Sequence, residues 1–280
     1  MSRVILVTSL KGGVGKTTVA ANLAMTLAQS GHTVVAVDCD LESRCLDMVL
    51  GLENDTLYNF SDVLCERCTL DDALLYDDRC DKLAFLAAPS ALTVTEESRE
   101  EYDAVFTPES IDRFMAEVKD RFDYVVFDLP AHPDRWYSLL LKHTNFALIV
   151  AMHTAVSIRS AEKTAMTIAQ TDEALHEEDG STSTLKIRLV VNGFRYREAA
   201  SGARALVGDI IGKTSVRLIG VIPQDEVMAS AQESGKLAFQ LKKGTLPFSI
   251  AIANIAERID GAQVPLLSGI VGRSARKKVL

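Results

Sequence analysis

The 280-residue chain contains no apolar run approaching the roughly 18–20 residues that span a bilayer, so no transmembrane helix is expected. It also lacks a basic excess. The net charge of −8 argues against broad nucleic-acid binding and leaves a local basic patch as the route by which DNA could be held. Cysteine is sparse: five residues, odd in number and irregularly spaced, which excludes a simple disulfide framework and suits reduced thiols. Met1-Ser2-Arg3 followed by Val4-Ile5-Leu6-Val7 is too short for a signal peptide and serves better as a first strand, so a cytoplasmic location is expected. What is present is apolar residue in quantity. Nearly half the chain is hydrophobic, enough for a substantial core, and the length suits one large α/β domain or two small ones.

The most informative stretch is Ser9-Leu10-Lys11-Gly12-Gly13-Val14-Gly15-Lys16-Thr17-Thr18. It lies between the apolar run Val4–Val7 and a helical pattern that begins near Lys16 and closes at Gly31. Strand, glycine-rich turn and helix form the context of a phosphate-binding loop. Glycines 12, 13 and 15 leave consecutive backbone N–H groups free to converge on an anion, and the helix start adds its positive dipole end. In such a loop Lys16 would reach the β- and γ-phosphates and the Thr17 hydroxyl would ligate Mg²⁺; Gly12, Gly13, Val14, Gly15, Lys16, Thr17 and Thr18 make up the phosphate-binding set.

Further apolar runs end in chemistry-bearing residues. Thr33–Val37 reads as a buried parallel strand running into Asp38-Cys39-Asp40, where ligands of α/β folds sit. Tyr124-Val125-Val126-Phe127-Asp128 has the form of a Walker-B strand, with Asp128 as a Mg²⁺ residue. Lys82–Ala88, Asn145–Ala151, Leu185–Val191 and Val216–Ile222 read as additional strands, the third ending in Asn192 and the last leading to Pro223-Gln224-Asp225. Thr107-Pro108-Glu109 opens a helix whose Ile111, Phe114, Met115 and Val118 share a face. A long helix is expected over about 157–176, a terminal one from Pro247 to Ile259, and short helical pieces over 56–75. The expected architecture is a doubly wound α/β domain, with a mostly parallel sheet and helices on both faces, spanning 1–260. A basic tail follows over 261–280.

The loop has Leu10 where the general pattern has glycine, and a second lysine, Lys11. In this it resembles the deviant Walker-A loop of the MinD/ParA family of ATPases. The likeness extends to Asp38–Gly51, to Asp128-Leu129-Pro130-Ala131 and to Ile219-Gly220-Val221-Ile222-Pro223-Gln224-Asp225, with Glu42, Cys45 and His132 as departures. The resemblance implies Mg²⁺-dependent ATP hydrolysis and an ATP-dependent homodimer in which Lys11 crosses to the partner's phosphates. It implies that Asp40 orients the attacking water with Asp38 assisting Mg²⁺ or its surroundings. Asn192 would recognise the adenine edge, and Pro223 and Asp225 would border the base and sugar. For the family's MinD members it further implies septum placement, recruitment of MinC and release by MinE.

The tail, Val264–Leu280, places Leu266, Leu267, Ile270 and Val271 before Arg273, Arg276, Lys277 and Lys278. An apolar side with basic flanks suits an interfacial helix on anionic lipid, which predicts peripheral attachment to the inner face of the cell membrane through residues 264–280. One tail would bind marginally and two in a dimer would gain by avidity. Three other readings stay open on the sequence: a ParA-like partitioning or flagellar-number ATPase, a metal-cluster carrier using Cys65 and Cys68, and a scaffold that binds ATP without turnover, the last because of His132.

Overall fold

A computed structural model of the chain describes residues 2–40, 43–52, 57–89, 104–131, 137–232 and 234–280. The strands are β1 (Arg3–Thr8), β2 (Val34–Asp38), β3 (Leu75–Asp77), β4 (Cys80–Leu86), β5 (Tyr124–Asp128), β6 (Phe146–Met152), β7 (Lys186–Phe194) and β8 (Leu218–Pro223). They form an eight-stranded sheet in the order β3-β4-β2-β5-β1-β6-β7-β8. Every pairing is parallel except that of β3 with β4. The helices are α1 (Lys16–Gln29), α2 (Leu46–Leu50), α3 (Phe60–Leu64), α4 (Leu70–Ala73), α5 (Pro108–Arg121) and α6 (Tyr137–Leu141). They continue with α7 (Ala155–Asp179), α8 (Tyr196–Ala200), α9 (Val207–Thr214), α10 (Glu226–Gln232), α11 (Pro247–Ile259) and α12 (Arg273–Val279).

Why the strands read as unbroken apolar runs is visible in where their side chains go. Along β1, Val4 and Leu6 enter one core while Ile5 and Val7 enter the other; Val35 and Val37 separate from Val34 and Ala36 in the same way along β2. A parallel strand covered on both faces has no solvent side to mark with polar residues. Helices α5 and α7 cover the first core and α1 and α11 the second, which is the expected doubly wound arrangement. Helix α5 starts where the sequence places it, with Thr107 and Ser110 forming a capping box and Pro108 at the first turn.

Three differences from the sequence reading matter. First, β3 is an antiparallel edge strand of three residues that makes a hairpin with β4. Second, Asn192 lies inside β7, which continues to Phe194. Third, the tail is not one interfacial helix: residues 262–272 contain no helix, and α12 holds only the basic end. Pro265, the positive φ of Leu267 (57°) and Gly269 (73°) and the flexibility of Gly272 break the helical path. Of the four apolar side chains assigned to lipid, Leu267, Ile270 and Val271 turn inward. Leu267 and Val279 are buried, Ile270 and Val271 pack against the core, and Asn254 and Arg258 of α11 donate to the Ser268, Val264 and Pro265 carbonyls. Among the described residues no helix is long and apolar enough to cross a membrane.

Candidate functional site

The site is assembled at the carboxyl edge of the central strands. Val7 of β1 lies in register with Asp128 of β5, which lies in register with Asp38 of β2. The two carboxylates are therefore held side by side where the loop after β1 turns back. Val14 is fully buried and pins that loop to the core, while Gly12 and Gly13 have no atom within 4 Å of a notional Cβ, an open cradle for an anion. Gly15 is left-handed at φ 89°, and its notional Cβ would stand 2.4 Å from Asn192 Nδ2. Only glycine fits there without displacing Asn192. The Val19 N–H donates to the Gly15 carbonyl at 3.0 Å, so α1 begins directly at Lys16 and aims its first N–H groups at the cradle.

The acids occupy distinct environments. Asp38 is fully buried and accepts from the Asp40 N–H at 2.9 Å and the Leu46 N–H at 3.1 Å, one on each oxygen. It anchors the loop that follows β2. Burial, then the charge of Asp128, raises its carboxyl well above the ordinary range. Asp128 is also buried, and its Oδ1 has no hydrogen-bond partner. Burial pushes its carboxyl up to about 7, although the Thr17 hydroxyl and the Lys16 ammonium favour the charged form. An unsatisfied buried carboxylate oxygen beside a threonine hydroxyl is costly without a cation and is a fitting donor set for Mg²⁺. Asp40 is half-buried at the mouth, and its Oδ1 accepts from the Ser43 N–H at 3.0 Å. Lys11 is half-buried; its own N–H donates to Ser9 Oγ at 3.2 Å, and its ammonium forms no ion pair among the described residues.

The remaining expected residues converge on one cleft of about 200 Å³ beside the loop, lined by Gly15, Thr18, Asn192, Pro223, Asp225 and others. Asn192 Nδ2 donates to the Val14 carbonyl at 2.9 Å and its Oδ1 accepts from the Gly193 N–H, leaving one N–H and one lone pair for a ligand. Asp225 lines the wall, but its Oδ1 caps α10 by accepting from the Val227 and Met228 N–H groups. Sequence reasoning does not find Met152, Met228, Gln232 and Phe248, which also line the cleft. Thr18 Oγ1 donates to Gln232 Oε1 at 2.9 Å across 214 residues of chain, a partnership that no local pattern announces.

Two expectations fall elsewhere. His132 and Glu42 lie outside the described residues. Cys65 closes α3 and Cys68 precedes α4; neither lines the cleft beside the loop, and burial raises the Cys68 thiol away from thiolate. Among the described residues no group of three or more His, Cys, Asp or Glu is placed to hold a metal ion.

A parallel doubly wound sheet with this loop, a lysine at the first helical turn and an acid at the Walker-B strand end defines a P-loop nucleotide-binding ATPase fold. Residues 2–179 match the family model described as an AAA domain. The chain is 34% identical over 267 residues, 95% of its length and 92% of the relative's, to the septum site-determining protein MinD of Synechocystis. It resembles the MinC:MinD cell division protein complex of Aquifex aeolicus with a TM-score of 0.74 at 29% identity, covering 95% of this chain and 98% of that one. It also resembles MinD of Pyrococcus horikoshii, solved with Mg-ADP, with a TM-score of 0.74 at 25% identity, covering 93% and 96%. The chain belongs to the MinD/ParA family of deviant Walker-A ATPases.

Proposed function

We propose that the chain is a cell-division ATPase of the MinD type that hydrolyses ATP with Mg²⁺ and works as an ATP-dependent dimer. The observation that carries the reading is the buried, unpartnered Asp128 oxygen beside Thr17, at the foot of a glycine cradle headed by Lys16. Backbone N–H groups of residues 12–17 would hold the phosphates, with Lys16 neutralising them and Thr17 and Asp128 holding Mg²⁺. The metal supplies charge neutralisation on the phosphoryl oxygens. Asp40, tied through Ser43 at the mouth, would orient water, and Asp38 would keep the Asp40 loop in place through its two backbone hydrogen bonds. The Lys11 ammonium, which forms no ion pair among the described residues, suits a phosphate brought by a second copy. Asn192 and the cleft beside it would take the base.

The MinC:MinD likeness supports a MinC-type partner, and the MinD relatives support a role in septum placement. Release by a MinE-like regulator and attachment to the membrane belong to the same reading. Since Leu267 and Val279 are buried, lipid contact by residues 264–280 requires the tail to leave the body of the protein, or to act through its exposed basic residues alone. The test is phosphate release with Mg-ATP for wild type and Lys16→Ala. Turnover that Lys16→Ala lowers at least a hundredfold supports the reading, and indistinguishable rates contradict it.

A further inference from the structure

Arg79 sits in the β3–β4 turn, outside every motif of the nucleotide site. Its backbone N–H and Nε donate to Asp77 Oδ1 at 2.8 and 2.7 Å, and Nη2 reaches Asp77 Oδ2 at 2.5 Å. Asp77 is buried, so this pair fixes the guanidinium plane. The rest of the fork faces two other segments. Nη2 also donates to the Leu50 carbonyl, the last of α2, while Nη1 donates to the Gly235 carbonyl and to Gln240 Oε1, each at 3.3 Å.

Each segment leads to a different half of the nucleotide site. Helix α2 is joined to the acid-bearing loop: the Leu46 N–H donates to Asp38, and Arg44 pairs with Asp47 at 3.0 Å. Gly235 follows α10, whose Gln232 accepts from Thr18 at the base cleft, and Ala238 just beyond donates from its N–H to Asn22 of α1 at 2.8 Å. The two segments touch backbone to backbone. Gly51 and Gly235 both have positive φ, and a Cβ on Gly235 would stand 3.0 Å from the Gly51 Cα and 3.4 Å from the Met48 carbonyl oxygen. Among the described residues no backbone hydrogen bond crosses this contact, and the Arg79 fork bonds to both sides of it.

We propose that Arg79 is a positioning residue that locks α2 to the α10 segment, so that filling the base cleft sets the place of the Asp38–Asp40 loop. This rests on the ATPase reading above. Base contacts then contribute to turnover and not only to affinity. Lysine at 79 would keep the charge toward Asp77 but lacks the planar fork that spans both segments.

The test uses full-length protein, Arg79→Lys, and two readouts. In hydrogen exchange, Mg-ADP should slow the amides of 226–240 and of 44–51 in wild type, the latter at least fivefold; in Arg79→Lys only 226–240 should respond. In phosphate release, Arg79→Lys should lower kcat at least fivefold with the ATP KM within twofold, and Gln232→Ala should lower kcat less in the Arg79→Lys background than alone. Protection of 44–51 that survives in Arg79→Lys overturns the proposal, as does a raised KM with unchanged kcat, or a lowered melting temperature with unchanged kinetics. Should Arg79→Lys fail to fold, Gln240→Ala removes one clamp contact from an exposed side chain and should reduce the 44–51 protection at least twofold; full protection there overturns the proposal. Wild-type protein that releases no phosphate yet shows the coupled protection would contradict the ATPase reading and leave the clamp standing.

Discussion

Asp128→Asn should stabilise the ligand-free protein while disabling it. The carboxyl of Asp128 is raised from 3.8 to about 7, chiefly by burial, so the folded chain binds its proton more tightly than the unfolded chain does. Stability therefore falls as pH rises through that window and stays low above it. A shift of that size corresponds to a ceiling of about 4 kcal/mol. The amide keeps the shape but leaves a polar oxygen unsatisfied, so a gain of about 1–3 kcal/mol is expected. Relief of Asp38, in register across the strand pair, acts in the same direction. Urea unfolding without metal should show the gain at pH 8 and lose most of it at pH 4, where the folded wild-type carboxyl is already protonated. Adding Mg-ATP should stabilise wild type and not the variant. A variant less stable than wild type at pH 8, or shifted equally at both pH values, would refute the reasoning.

Other expectations follow from individual contacts. Gly15→Ala should cost about 2–3 kcal/mol in denaturant unfolding, from a left-handed φ and displacement of Asn192 from the Val14 carbonyl, and should weaken ATP binding. His153 is buried with Nε2 on the Ala205 carbonyl and Nδ1 accepting from Arg195, and burial holds its imidazole below its ordinary value. The unfolded chain therefore takes up this proton first, and stability should decline as pH falls below about 6.5, by at most about 1.4 kcal/mol per pH unit. That part of the slope should be missing in His153→Gln. Val279→Ala should lower stability by about 1–2 kcal/mol and speed proteolytic release of the tail, because Val279 is fully buried. Sedimentation with anionic liposomes should recover more protein with ATP than with ADP; equal recovery would remove the nucleotide control of attachment.

The strands that carry the chemistry were legible because each is a run of apolar residues, covered on both faces, that stops at an acid or at the glycine loop. The sequence alone thus sets Asp38 and Asp128 at strand ends and Lys16 and Thr17 at the start of the first helix; register puts the two acids side by side, and α1 begins at Lys16. What escaped is long-range or short. Strand β3 has three residues and owes its place to pairing with β4. Helices α8, α9 and α10 span at most eight residues, too few for a period to stand out. Gln232 and Arg79 matter through partners far away in sequence, which spacing cannot reveal. The tail is ambiguous for a different reason: its apolar residues suit lipid or a protein core equally well by composition, and here Leu267 and Val279 lie in the core.

The face-to-face dimer is the claim on which the proposed cycle turns, and Lys11 is its most exposed link, since its ammonium has no ion pair within the described chain. Light scattering of wild type and Lys11→Ala, each with Mg-ATP and with Mg-ADP, tests it most directly. Wild type should double its mass with ATP alone and Lys11→Ala should stay monomeric in both. Doubling by Lys11→Ala, with phosphate release equal to that of wild type, would contradict it.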